Sequence, residues 1–191
     1  MKLLSILTLA VSGATALLSE RSPCAIDTHG PFKLYSVSDG TDGAALLNVV
    51  TMGPDDSGKN TLSTLTTCDT CGKTPVYWTL TKSVLSPVFT ISDIVTQNAT
   101  INLPLSYGKV NFITGNKKDL KLAPIYCLDK NTTSTSTASH ILLANGHSDL
   151  FSICSFIGTI GPAHRRDVYY NQTSSGIANY CVSTKLVAKP L

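Results

Sequence analysis

Apolar residues in this chain recur at every second position, and no window carries a sustained helical stripe. Val76, Trp78 and Leu80 alternate with Tyr77, Thr79 and Thr81; Ile101 and Leu103 flank Asn102; Leu120 and Leu122 flank Lys121. Successive side chains of a strand point to opposite faces, so this period suits a half-buried sheet. Further apolar or β-branched runs cover Phe32–Val37, Ala45–Met52, Val88–Ile91, Val110–Ile113, Ile141–Leu143, Leu150–Phe156, Val168–Tyr170 and Tyr180–Val187. Turn dipeptides separate them: Asp39-Gly40, Asp42-Gly43, Ser57-Gly58, Gly115-Asn116 and Asn145-Gly146. The spacing predicts an all-β fold, a single-domain sandwich or barrel of about ten short, mostly antiparallel strands.

The first residues read as an address rather than as structure. Met1-Lys2 is positive, Leu3 to Val11 is an apolar run, and Ala14-Thr15-Ala16 fits the small-residue cleavage rule. The apolar run is shorter than the roughly 20 residues a membrane span needs. We therefore expect residues 1–16 to be a signal peptide and residues 17–191 to be one secreted β domain with no membrane anchor. The C-terminus, Thr184 to Leu191, lacks the apolar tail of a lipid-anchor signal.

All six cysteines lie beyond that cut: Cys24, Cys68, Cys71, Cys127, Cys154 and Cys181. An even count in an exported chain predicts three disulfides, with about fifteen formal connectivities. Cys68-Asp69-Thr70-Cys71 is the one local motif. A redox pair needs a helix N-terminus behind it to lower a thiol pKa, whereas Gly72-Lys73-Thr74-Pro75 reads as a turn leading into a strand. Zinc needs a second pair at matching spacing. A structural turn disulfide is the expectation. The other pairings are open; Cys154 with Cys181 would clasp the last strands, leaving Cys24 with Cys127.

Glycosylation sequons stand at Asn98, Asn131 and Asn171. The tract from Asn131 to Ser139 is almost wholly Asn, Thr, Ser and Ala, which cannot build a core and reads as an exposed loop. With 14% charged residues and a net charge of +3, the chain offers no field for nucleic acid.

Catalytic signatures are poor. Gly53-Pro54-Asp55-Asp56-Ser57-Gly58-Lys59-Asn60 approaches a P-loop, but Asn60 replaces the Mg²⁺-holding hydroxyl and the two aspartates would repel phosphate. A β-hairpin loop is the better reading. Glycoside hydrolysis usually wants two carboxylates. Glu20 is the only Glu, and most aspartates sit in turn sequences where Asp bonds its own backbone. No nucleophile elbow occurs. His140 and His147 flank a predicted strand and its Asn-Gly turn, so with Asp149 they form the one group that a hairpin would gather. His164-Arg165-Arg166-Asp167 reads as a solvated turn after Gly161-Pro162. No catalytic residue, metal ligand or cofactor is assigned.

Trp78 shares its face with Val76 and Leu80, which predicts core packing. Tyr77 points the other way. Tyr169 shares a face with Asn171, a sequon position, which argues for exposure. Tyr77 and Tyr169 are thus the candidate sugar contacts.

Three C-terminal stretches, Leu150-Phe151-Ser152-Ile153-Cys154, Asp167-Val168-Tyr169-Tyr170-Asn171 and Asn179-Tyr180-Cys181-Val182 running on to Leu186-Val187-Ala188, together with Gly30-Pro31-Phe32-Lys33-Leu34-Tyr35-Ser36-Val37 near the start, resemble small secreted fungal proteins. The phialide-associated cell-wall protein family is among them. The resemblance covers the last third and one N-terminal strand. It implies a β-rich surface glycoprotein, with no catalytic residue to carry over. The expected function is a noncatalytic component of a fungal cell wall or extracellular surface, with wall polysaccharide or other wall components as partner. Two other classes compete: a binding module or effector acting on a host or competitor molecule, and an Asp/His hydrolase.

Overall fold

The computed structural model describes residues 25–38, 43–54, 58, 60–91, 94–97, 100–102, 108–114, 124–130, 139–155, 165–172 and 180–191. These form fifteen strands: β1 (His29–Ser38), β2 (Ala44–Leu46), β3 (Asn48–Pro54), β4 (Thr61–Thr66), β5 (Tyr77–Thr81), β6 (Val84–Ile91), β7 (Ile94–Gln97), β8 (Thr100–Asn102), β9 (Gly108–Lys109), β10 (Asn111–Thr114), β11 (Tyr126–Lys130), β12 (His140–Ala144), β13 (Phe151–Ser155), β14 (Arg166–Tyr170) and β15 (Tyr180–Pro190). The fold is all-β, one antiparallel sheet curled into a half-barrel.

The strand count exceeds the expected ten or so because several strands are short and one run is broken. The run Ala45–Met52 splits at Leu47, a fully buried residue whose N–H donates to the Leu34 carbonyl at 2.9 Å. The chain leaves β1 there and joins β4, so one apolar run serves two partners. Leu120–Leu122 lies outside the described residues. The pseudo-P-loop closes a hairpin: Pro54 of β3 pairs with Thr61 of β4.

Strand β15 joins the two halves of the sheet. Its last residues pair with β1 (Phe32 opposite Pro190) and with β12 (His140 opposite Ala188), while its first residues pair with β13 (Ser155 opposite Tyr180). The curl brings both halves onto one core. Phe32, Leu34, Trp78, Leu80, Leu128, Leu142 and Leu186 from one half meet Leu65, Phe112, Phe151, Val168 and Tyr170 from the other. The Trp78 and Phe112 rings lie 5.8 Å apart across that core, as the Val76-Trp78-Leu80 alternation predicts. Full burial of such a side chain contributes about 1.5–3 kcal/mol.

Two staples are described. Cys154 and Cys181 face each other across β13 and β15. Cys68 and Cys71 close the turn after β4. That turn docks on β3, where Val49 and Lys73 exchange both backbone hydrogen bonds at 3.0 and 2.9 Å. The approach leaves no room at Gly72, where a Cβ would run into the Val49 carbonyl oxygen. Cys127 is disulfide-bonded as well; Cys24, its expected partner, lies outside the described residues.

Candidate functional site

Among the described residues, two ion pairs meet on the face of β14 away from the core. Val168 and Tyr170 join the core, so Asp167 and Tyr169 point the other way. The Asp167 side chain is only 2% exposed. Arg165 grips it through two nitrogens, Nε to Oδ1 at 2.8 Å and a terminal guanidinium nitrogen to Oδ2 at 2.9 Å. Lys109 of β9 adds Nζ to Oδ2 at 2.8 Å and stands 5.9 Å from the centre of the Tyr169 ring. Charge-assisted bonds of this kind are about twice as strong as neutral ones. Burial raises the Tyr169 phenol above its ordinary value of 10.0; the Asp167 carboxylate adds to this and Arg165 opposes it.

This corrects two expectations. Arg165-Arg166-Asp167 leads into a strand as an ionic cluster; it is not a solvated turn. Tyr169 is 8% exposed, so the exposure expected from its alternation with Asn171 is absent. The cause is tertiary. Strand β9 pairs along β14 and sets Lys109 directly opposite Tyr169, so the lysine side chain lies beside the ring on the same face, its Nζ 5.9 Å from the ring centre. His164 lies outside the described residues. Tyr77 keeps partial exposure at the start of β5.

His140, His147 and Asp149, the one group a hairpin could have gathered and to which no role is assigned, do not come together as one cluster. His147 Nδ1 lies 3.7 Å from an Asp149 carboxylate oxygen, and the Asp149 side chain is 77% exposed. The Asn145-Gly146 turn does form; both residues have positive φ, and Ala144 and His147 exchange backbone bonds at 3.0 Å. His140 lies on the face of β12 shared with core residues Leu142 and Ala144, and packs against His29 of β1, ring centres 4.9 Å apart. Sequence reasoning missed this partner because His29 and His140 sit at the starts of strands remote in sequence. The only available signal was that each histidine precedes an apolar strand. Among the described residues no three or more His, Cys, Asp or Glu side chains gather as a metal site.

Asn171 sits exposed just past β14, in a left-handed conformation (φ 47°), with its N–H donating to the Leu150 carbonyl at 2.8 Å. Asn98 and Asn131 lie outside the described residues. Among the described residues no helix is long and apolar enough to cross a membrane. No protein-family model, curated protein or solved structure matches this chain.

Proposed function

We propose that the protein is a secreted, N-glycosylated, noncatalytic component of a fungal cell wall or extracellular surface. The observation that carries this reading is the exposed sequon residue Asn171, held by a backbone bond to the chain just before the disulfide-stapled strand β13. A glycan there leaves from an exposed position just past the end of β14 and displaces no core residue. Disulfides persist in oxidising compartments, and the N-terminal leader supplies the route. The resemblance to small secreted fungal wall proteins supports the wall in particular. Of the two tyrosines considered for sugar stacking, Tyr77 is the one that retains the larger surface.

Glycosidase treatment and wall fractionation test the proposal together. Enzymatic removal of N-glycans should lower the mass of the secreted protein, and Asn171→Gln should remove one glycan's worth of that change. The protein should remain with exhaustively washed walls. An unchanged mass removes the glycoprotein claim. Complete recovery in the medium removes the wall claim and favours an effector.

A further inference from the structure

We propose that Met52 is a site of oxidation by hydrogen peroxide, and that Arg165 holds the sulfoxide so formed. Strands β3 and β4 pair antiparallel, but their register slips at Met52: Thr51 stands opposite Ser63 and Gly53 opposite Leu62. Met52 is therefore the extra residue of a β-bulge, with no partner of its own on β4. Gly53 behind it has φ of 140°, a backbone conformation that glycine adopts without a steric penalty. Bulges re-aim side chains, and this one leaves Met52 42% exposed.

The Met52 sulfur meets the terminal guanidinium nitrogen of Arg165 that also bonds Asp167 Oδ2 at 2.9 Å. That nitrogen carries two hydrogens, so one serves the carboxylate and the other faces the sulfur. The second contact is unequal. Arg165 is a charged donor, its side chain only 20% exposed and fixed by a further bond from Nε to Asp167 Oδ1. A thioether sulfur is a weak acceptor. A firmly held cationic N–H is thus matched to a poor partner.

Peroxide removes the mismatch. A sulfur lone pair turned away from Arg165 attacks one peroxide oxygen, and the S–O bond forms as the O–O bond breaks. The proton on the transferred oxygen passes to the departing hydroxide, which leaves as water. The thioether is oxidised to a sulfoxide and the peroxide is reduced. The sulfoxide oxygen carries partial negative charge, so its bond to the guanidinium is charge-assisted. Methionine is unbranched and flexible, and the exposed side chain can draw back until the oxygen takes the place of the sulfur at Arg165. Strands β3 and β14 both pair with β4, so the new bond fastens the bulge to the residue that leads into β14. Oxidation here adds a bond, and the oxidised protein is the more stable form.

Peroxide treatment of the secreted, disulfide-intact protein tests this. Peptide masses should place one added oxygen on Met52. The thermal unfolding midpoint of the oxidised protein should lie about 2 °C above that of the untreated protein. Met52→Leu should lose both the added oxygen and the rise. Met52→Gln, which carries an amide oxygen at similar reach, should unfold above Met52→Leu without any peroxide. Arg165→Ala should still take up the oxygen but show no rise. Should Arg165→Ala fail to fold, the guanidinium proton resonances of Arg165 in the wild type decide: a downfield shift on oxidation supports the contact, and an unchanged position overturns it. No oxygen on Met52, an oxidised midpoint at or below the untreated one, an equal rise in Met52→Leu, or Met52→Gln no more stable than Met52→Leu would each overturn the proposal.

Discussion

Asp167 and Tyr126 are both polar, both all but inaccessible, and opposite in how the fold treats them. The Asp167 carboxylate receives three charge-assisted bonds from Arg165 and Lys109. The Tyr126 hydroxyl, 1% exposed as a residue, has no hydrogen-bond partner among the described residues. A paired polar group loses little on leaving water, whereas an unpaired one bears its whole desolvation cost. The carboxylate lies on the outer face of β14, where cationic stems from β9 and the β14 approach can reach it. The phenol lies among the residues of the hydrophobic core, Tyr170 with them. Burial alone therefore does not mark a group as stabilising; its partners do.

Removing the paired carboxylate should have the largest effect. Asp167→Ala strands two cations that are themselves four-fifths buried, and should lower unfolding free energy by about 3 kcal/mol or somewhat more. Denaturant unfolding measures this, and Asp167→Asn should lose less. A loss within error of zero would mean that the ion cluster is ornamental. Next comes Tyr170→Phe. The Tyr170 hydroxyl donates to the Ala144 carbonyl at 2.8 Å, so its removal should cost about 1 kcal/mol.

Tyr126→Phe should go the other way. It deletes an unpaired buried hydroxyl and keeps the ring, so stability should stay level or rise by up to about 1 kcal/mol. A clear loss would show that the phenol has a partner the comparison lacks. The smallest effect is a pH dependence. Burial raises the Tyr126 phenol above its ordinary value, with Tyr170 adding to it, and Tyr169 moves the same way. A raised folded-state value for an acid means that the unfolded chain releases the proton first. The stability contribution is thus complete below pH 10.0 and declines as pH climbs beyond it. Half a unit above that value, wild type should lose no more than about 1 kcal/mol extra relative to Tyr126→Phe. Equal alkaline slopes for the two proteins would refute the assignment.

Two hairpin turns show how far local sequence reaches. Asn145-Gly146 is legible because both residue types tolerate positive φ, here 52° and 83°. Lys82-Ser83 makes an equally tight turn between β5 and β6 with φ of 49° and 64°, yet neither residue favours that conformation, which costs about 1–2 kcal/mol per residue. Distant groups hold it. The Lys82 N–H donates to Thr28 Oγ1 at 3.1 Å, the Ser83 N–H to the Asp27 carbonyl at 2.8 Å, and the Tyr126 N–H to the Ser83 carbonyl at 3.0 Å. None of those partners is visible from a window around the turn.

The period-two alternation alone determined the all-β class, the inward face of β5 with Trp78, and the strand identity of most apolar runs, because side-chain direction along a strand is a local property. Cysteine position likewise anticipated the Cys68–Cys71 turn and the Cys154–Cys181 clasp. Tertiary structure alone decided that Tyr169 is covered, that Asp167 is enclosed by Arg165 and Lys109, and that His140 meets His29 instead of His147. Each of those outcomes depends on which strand lies beside which: β9 along β14, and β1 and β12 on either partner edge of β15. Strand order is set by long-range pairing and by the curl of the sheet, and neither leaves a mark on the residues immediately flanking the site.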